Sequence, residues 1–223
     1  MSETNVQRTQ SLTEQVHAEL KRRILDGRLA PGSEVRDSVI AKSMGISRVP
    51  VRDACNLLVQ SGLLSKQEHH PYRVREFSEA DLGELQLIRW GYESVAVRHL
   101  VRAHVNPQGV REPLDRMRVA GEDGDSDESG QADIDFHRAL VRSTGLLELI
   151  RRHDSLMTQL SLSMRTLPAF VVPTQEYRHR EILDVLQESQ AASDPAPILR
   201  LMSTHLLTAR SDVAENDQLR SKS

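Results

Sequence analysis

The 223-residue sequence is poor in several things that define whole classes of protein. It has one cysteine, Cys55, so no disulfide can form within the chain, and a reducing, cytoplasmic setting is expected. Aromatic residues make up only 3%, which leaves Leu, Val, Ile, Ala and Met to build any core. No apolar run approaches the roughly 18 residues that cross a bilayer, so no membrane association is expected. The start, MSETNVQRTQ, is polar and lacks the apolar segment of a signal peptide. No internal repeat is visible, which sets aside solenoid architectures.

What is present reads as globular and long enough for two small domains: 27% charged residues, 38% hydrophobic ones and a net charge of −3. The charge is unevenly spread. Residues 1–76 carry 12 Lys and Arg against 9 Asp and Glu, whereas residues 77–223 carry 17 against 23. A slightly basic front and an acidic back suggest a polyanion-binding module joined to something else.

In the front part, Val16, Leu20 and Ile24 recur at helical spacing from Leu12, with Thr13 as N-cap and Gly27 as terminator. LAPGSEV follows as a Pro-Gly turn. A short helix at 36–43 turns Val39, Ile40 and Met44 inward and stops at Gly45. Ser47 caps a third helix reaching about Gly62, with Pro50 harmless in its first turn and Val51, Ala54, Leu57 and Leu58 as its buried face. LLSKQEHHPYRVREF reads as a hairpin with its tip at Glu68–Pro71. Three helices followed by a hairpin is the order of a winged helix-turn-helix.

The N-terminal end of a recognition helix is the end that enters the major groove. Ser47, Arg48, Val49 and Arg52 are therefore the candidate DNA contacts from that helix, because arginine there can bond guanine or phosphate. Lys66, His69, His70 and Arg73 are the candidates from the hairpin. Two arginines on a helix would by themselves mean no more than a charged surface. It is the ordered set of signals that points to double-stranded DNA.

These residues also carry a family resemblance. GRLAPGSEVRDSVIAKSMGISRVPVRDACNLLVQSGLL resembles the DNA-binding domain of GntR-type bacterial transcription regulators, through Pro31, Gly32, Ala41, Gly45, Ser47, Arg48, Pro50, Val51, Arg52, Asp53, Ala54, Gly62, Leu63 and Leu64. Two departures stand out. Ser38 occupies a place where the family often has arginine, and EHHPY stands where its wing tip often has glycines.

From Ser78 onward only helices are expected, near 79–104, 107–120, 130–144, 146–167, 173–190 and 195–214. AGEDGDSDESG (120–130) reads as a mobile acidic loop, LPAFVVP (167–173) as a proline-bounded break and ESQAASDPAP (188–197) as another loop. In DIDFHRAL, Asp133 and His137 stand four apart and share one helix face. His179 shares a face with Ile182, Leu183 and Leu186, and His205 with Ile198, Leu201, Met202 and Ala209. Three histidines and an aspartate thus point into a helical core from three helices. A divalent transition metal would satisfy all four, zinc first, with nickel, manganese or iron as alternatives. The competing readings are hydrogen-bonded core histidines and a local Asp133–His137 ion pair. His153 also shares a face with Leu149, Ile150, Leu156 and Met157.

The segment from Ser78 onward resembles the helical effector domain of the FadR branch of the GntR family, the FCD type. The resemblance rests on Arg89 and Glu93 in ADLGELQLIRWGYESVAVRHL, on DIDFHRALVRSTG, on YRHREILDVL and on MSTHLL. Six helices would be similar to the VanR-like subgroup. The resemblance implies metal ligation by Asp133, His137, His179 and His205, with the metal helping to hold a small carboxylate effector. Arg89 is the candidate for that carboxylate, or else pairs with Glu93 to order the helix; Arg165 is a second candidate.

The expected fold is mainly α, an N-terminal winged helix-turn-helix of three helices plus a small β-hairpin followed by an all-α antiparallel helical bundle. The expected division is a disordered tail at 1–10, a DNA-binding domain at 11–76, an FCD-type metal, effector and dimerisation domain at 77–214, and a tail at 215–223. The expected function is a ligand-responsive regulator, a repressor, binding an inverted repeat as a homodimer. A metal-sensing regulator is the alternative. A metal-dependent hydrolase would leave the front module unexplained, and Asp135, the one nearby base, points elsewhere on its helix.

Overall fold

The computed structural model describes residues 11–167 and 176–207. It divides into two compact units, 1–76 and 77–223. The tail readings at 1–10 and 215–223, most of the break at 167–173, and the helix ends at 173–175 and 208–214 lie outside the described residues.

The first unit opens with α1 (Leu12–Leu25). Its cap is Ser11 rather than Thr13, because Glu14 stands three residues after Ser11. The Ser11 hydroxyl accepts from the Glu14 amide at 3.2 Å, and the Glu14 carboxylate accepts from the Ser11 amide at 2.7 Å. Val16, Leu20 and Ile24 form its buried stripe. α2 (Asp37–Met44) ends at Gly45, whose φ of 66° is the left-handed cap that glycine adopts freely. This helix has only Ile40 and Ala41 buried; Val39 faces outward and Met44 is half-buried, since eight residues give about two turns and a narrow inner face.

α3 (Arg48–Gln60) buries Val51, Ala54, Cys55 and Leu58. Leu57, expected inside, is exposed. The inward stripe follows 51, 54, 55 and 58, with Cys55 buried and Leu57 turned about 200° away from it on the helix. The hairpin forms from β2 (Leu64–Lys66) and β3 (Tyr72–Val74). A third strand, β1 (Glu34–Val35), pairs antiparallel with β3, giving the order β1-β3-β2. Its two residues are too short to show alternation in sequence.

The described helices of the second unit are α4 (Glu79–Arg102), α5 (Arg111–Asp123), α6 (Ser126–Arg142), α7 (Leu147–Thr166), α8 (Glu176–Ala192) and α9 (Ala196–Leu207). Ser78 and Asp81 close a second capping box at the start of α4. The acidic stretch 120–130 is not a loop. α5 runs to Asp123, Gly124 takes φ 71°, and Asp125 caps α6 by accepting from the Glu128 amide at 3.0 Å. Asp127 and Glu128 sit in the first turn of α6, where negative charge complements the helix dipole. The stretch 188–197 is likewise mostly helical: α8 continues to Ala192, and the chain reverses at Ser193 with φ 52°.

The core of this unit packs Val97, Leu100, Met117, Phe136, Leu140, Ile182, Leu186, Ile198 and Met202 from five helices. Each such side chain contributes on the order of 1.5–3 kcal/mol on burial. Gln190 donates its amide hydrogens to the carbonyls of Leu100 and Val105 at 3.1 and 2.9 Å, satisfying backbone acceptors where α4 ends.

Candidate nucleic-acid interface and metal centre

All eight residues expected at a DNA surface are exposed: Ser47, Arg48, Val49 and Arg52 at the start of α3, and Lys66, His69, His70 and Arg73 in the hairpin. Ser47 occupies the N-cap position of α3 without a side-chain cap bond. Several of the cations are held by acids. Arg48 donates to both oxygens of Asp37 at 3.0 Å, tying the start of α3 to the start of α2. Glu34 on β1 accepts from Arg36 at 2.7 Å and from Arg73 on β3 at 3.3 Å. Arg36, which the sequence reading passed over, therefore belongs to the same surface. The Lys66 ammonium lies 4.6 Å from the centroid of the Tyr72 ring and donates to the His70 carbonyl. His69 takes φ 62°, the left-handed conformation that a glycine would hold without strain.

In the second unit, α6 presents Asp133 and His137 on one face, α8 brings His179 and α9 brings His205. One ligand-capable atom from each lies within 4.8 Å of the others. His179 Nε2 is 2.8 Å from Asp133 Oδ1. His137 Nε2 is 3.3 Å from both His179 Nε2 and His205 Nε2, and 3.7 Å from Asp133 Oδ1. Phe136 packs its ring edge-on against His137 and His179, at centroid distances of 5.2 and 4.9 Å.

A second layer sits behind this cluster on α4. Glu93 is fully buried, and its Oε2 accepts from His137 Nδ1 at 2.7 Å. Its Oε1 accepts from Arg89 Nε at 2.8 Å and from His153 Nε2 at 3.1 Å. The proton that His137 donates from Nδ1 leaves Nε2 with a bare lone pair facing the cluster. Arg89, also buried, reaches Asp133 Oδ2 at 3.4 Å. The sequence had flagged His153 as an inward histidine and Glu93 only as a partner of Arg89; their meeting across α4 and α7 needs the tertiary structure.

The electrostatics follow from burial and charge. Burial pushes the His205 pKa down to about 2, helped by the neighbouring His137 and His179. Burial and then the Arg89 charge also lower His137. Burial opposes ionisation of Asp133, but Arg89 and His137 outweigh it and hold the carboxyl well below its usual range. Burial likewise opposes ionisation of Glu93, and His137 and Arg89 outweigh it. The result is two imidazoles, His137 and His205, held neutral and a carboxylate held ionised, converging on the same point as His179.

That donor set fits a metal ion. Bonds of about 2.0–2.1 Å to nitrogen or oxygen place neighbouring ligand atoms roughly 3–3.4 Å apart; four of the pairs here stand at 2.8, 3.3, 3.3 and 3.7 Å, and all lie within 4.8 Å. Two further residues fall elsewhere. Asp135 accepts from Arg116 at 3.0 Å and from Gln131 at 3.2 Å, facing away from the cluster. Arg165 is exposed in the last turn of α7 and forms none of the contacts described for the cluster, because the buried positions of that turn are Leu162 and Ser163.

A winged helix-turn-helix coupled in one chain to a helical effector domain defines a two-part transcription regulator. Residues 12–74 match the model of bacterial regulatory proteins of the gntR family, and residues 93–208 match the FCD domain. The chain is 33% identical over 190 residues to a "probable D-xylose utilization operon transcriptional repressor" of Paenarthrobacter nicotinovorans, covering 83% of this chain and 79% of that one. It is 27% identical over 187 residues to the regulator McbR of Escherichia coli K12, covering 82% and 84%. Among solved structures it superposes on a GntR regulator from Rhodococcus sp. RHA1 with a TM-score of 0.75 at 24% identity, over 92% of this chain and 99% of that one. It superposes on E. coli McbR/YncC with a TM-score of 0.68 at 23% identity, over 93% and 99%. The chain belongs to the GntR family, in its FCD-type subfamily. It is a DNA-binding transcription regulator.

Proposed function

We propose that the protein is a ligand-responsive repressor that binds an inverted-repeat operator as a homodimer, in the cytoplasm, with a metal-assisted pocket for a small carboxylate in its helical unit. The observation that carries the pocket is the convergence of Asp133, His137, His179 and His205, with the His137 tautomer set by Glu93. These four side chains would hold a divalent transition metal, zinc first, or nickel, manganese or iron. A bound ion there supplies a positive centre for an anionic ligand, with coordination positions left over. Arg89 supplies the second positive charge. Three of its five N–H groups have partners in Glu93, Gln86 and Asp133, which leaves two for a ligand carboxylate.

Ligand binding at this point would shift the population between packings of the helical unit, and in a dimer would change the spacing of two DNA-binding units. Repression as the sign is supported by relatives described as operon repressors. Arg48, Arg52 and the wing cations would contact the operator.

The test is elemental analysis of the purified chain beside its His137→Ala/His179→Ala variant. About one transition metal per chain, lost in the variant, is expected. No metal even after reconstitution would sink the pocket. A second reading, in which the metal itself is the signal, is favoured by the engagement of Arg89 with Glu93 and Asp133. DNA binding that follows metal at constant carboxylate would select it.

A further inference from the structure

Arg48, Arg52 and Asn56 stand four apart and line one exposed stripe of α3. The two arginines are held in different ways. Arg48 is anchored by a carboxylate, Asp37, as Arg73 on the wing is by Glu34. Among the described residues Arg52 pairs with no carboxylate. The group beside it is the hydroxyl of Tyr72.

Tyr72 sits on β3, buried, opposite Lys66 of β2 and Val35 of β1. Its hydroxyl donates to Asn56 Oδ1 at 2.9 Å and accepts from the Arg52 guanidinium. Its ring face carries the Lys66 ammonium, 4.6 Å from the centroid. One buried side chain of the wing thus touches a cation of the recognition helix and a cation of the wing. The fold itself has little use for the hydroxyl. Asn56 is exposed, so water can satisfy its amide, and the ring alone fills the buried position.

The neutrality of this partner matters. A carboxylate that holds an arginine also offsets its charge and repels nearby phosphates. A hydroxyl fixes the direction of the guanidinium and leaves its full charge, with most of its five N–H groups open to a base edge. Asn56 completes the arrangement. With the hydroxyl proton committed to Asn56, the phenolic oxygen turns its lone pairs toward Arg52. We infer that Tyr72 is a positioning residue for sequence reading, which aims Arg52 at a base edge and ties the wing to the recognition helix. The inference rests on the operator reading above and says how one of its contacts is held.

Tyr72→Phe tests it, because it removes one oxygen and keeps the ring. The probes are the duplex most enriched by the wild type from a random pool and an unselected duplex of equal length. The variant loses roughly two- to tenfold on the enriched duplex, the worth of one ordinary hydrogen bond. Its binding to the unselected duplex and its salt slope stay as in the wild type, since no phosphate contact is lost. Asn56→Ala acts in the same direction. In an Arg52→Ala background Tyr72→Phe has no further effect. Circular dichroism shows the variant folded, with a melting temperature close to that of the wild type. Equal losses on both duplexes, a loss that persists in full without Arg52, or an unchanged affinity overturns the assignment while leaving DNA recognition by α3 standing. A wild type that enriches no duplex overturns the operator reading itself, and this inference with it.

Discussion

Replacing Glu93 by glutamine isolates what the second layer does for the cluster. Glu93 accepts three hydrogen bonds on two oxygens: Arg89 and His153 on Oε1, His137 on Oε2. Glutamine has one acceptor oxygen and one NH2 group that only donates. The charged Arg89 donor draws the oxygen to the Oε1 place, which leaves the NH2 facing His137 Nδ1. To avoid two opposed donors, His137 must move its proton to Nε2. That N–H then points among His179, His205 and Asp133, and the lone pair is lost. Perturbing such a supporting partner costs about 10- to 100-fold in metal affinity, about 1.4–2.7 kcal/mol. The metal-free fold also loses about 3 kcal/mol, the low end for a broken buried pair, because Asp133 still faces Arg89. Zinc affinity by chelator competition and unfolding by circular dichroism separate the two effects. Glu128→Gln, which disturbs only the partly exposed pair with Arg116, is the control and leaves zinc binding unchanged. A folded Glu93→Gln protein with zinc affinity within roughly twofold of wild type would refute the tautomer argument.

Four further outcomes follow from the same geometry. The metal-free chain loses stability as pH falls below about 6.5: His205 titrates at about 2 in the fold against 6.5 unfolded, so in between the unfolded chain binds more protons, and at pH 5 this residue alone withdraws about 2 kcal/mol. His137, lowered by burial, acts in the same direction, and a melting temperature in chelator that stays flat from pH 8 to 5 would contradict this. His69→Gly relieves a left-handed φ at the wing tip and raises stability by about 1 kcal/mol in denaturant unfolding; a loss would show that the imidazole is held there by something else. Glu34→Gln removes the anion beside Arg36 and Arg73, although Arg73 keeps its bond to the Gly32 carbonyl, and steepens the salt dependence of DNA binding by roughly one to two ions, where an unchanged slope would mean that neither arginine meets phosphate. Arg52→Ala costs about 1–3 kcal/mol of operator binding if the guanidinium reads a base, and equal losses on operator and random DNA would reduce it to a phosphate contact.

His137, His179 and His205 were legible as inward residues because each stands three or four residues from Leu, Ile or Met on a packed helix, and Asp133 because it stands four residues before His137; their role as ligands came from the family resemblance. The same periodicity marked His153 without saying what it met. Its partner Glu93 lies 60 residues away on α4, and no spacing rule reaches across that distance. Composition misled at 120–130, where glycine and acids suggested a loop. The acids are capping and first-turn residues of α6, a helical role with the same composition. The shift from Leu57 to Cys55 is a phase error of the kind that arises when several apolar residues crowd one helix. The glycine-poor wing was read as a departure from family pattern, and the structure gives it a physical form in the strained φ of His69.

The placement of Arg89 and Glu93 gives α4 a role beyond holding the cluster. A helix is stiff along its length, and both residues lie on its inner face, one turn apart. Any change that draws Asp133 away from Arg89, such as its engagement by a cation, alters the balance of charge on that inner face. The helix can answer only by small rotation or translation as a body, since its side chains are close-packed on α7, α8 and α9. Such a movement would be felt along the whole helix, and so by any contact between copies that α4 helps to form. Coupling of this kind is a measurable free energy and not a matter of distance. Dimer dissociation constants with and without zinc, for wild type and for Arg89→Lys, close a thermodynamic cycle. Zinc sensitivity in the wild type that disappears in Arg89→Lys would locate the coupling in α4. Equal zinc sensitivity in both proteins would mean that cluster and dimer communicate by another route, or not through this helix at all.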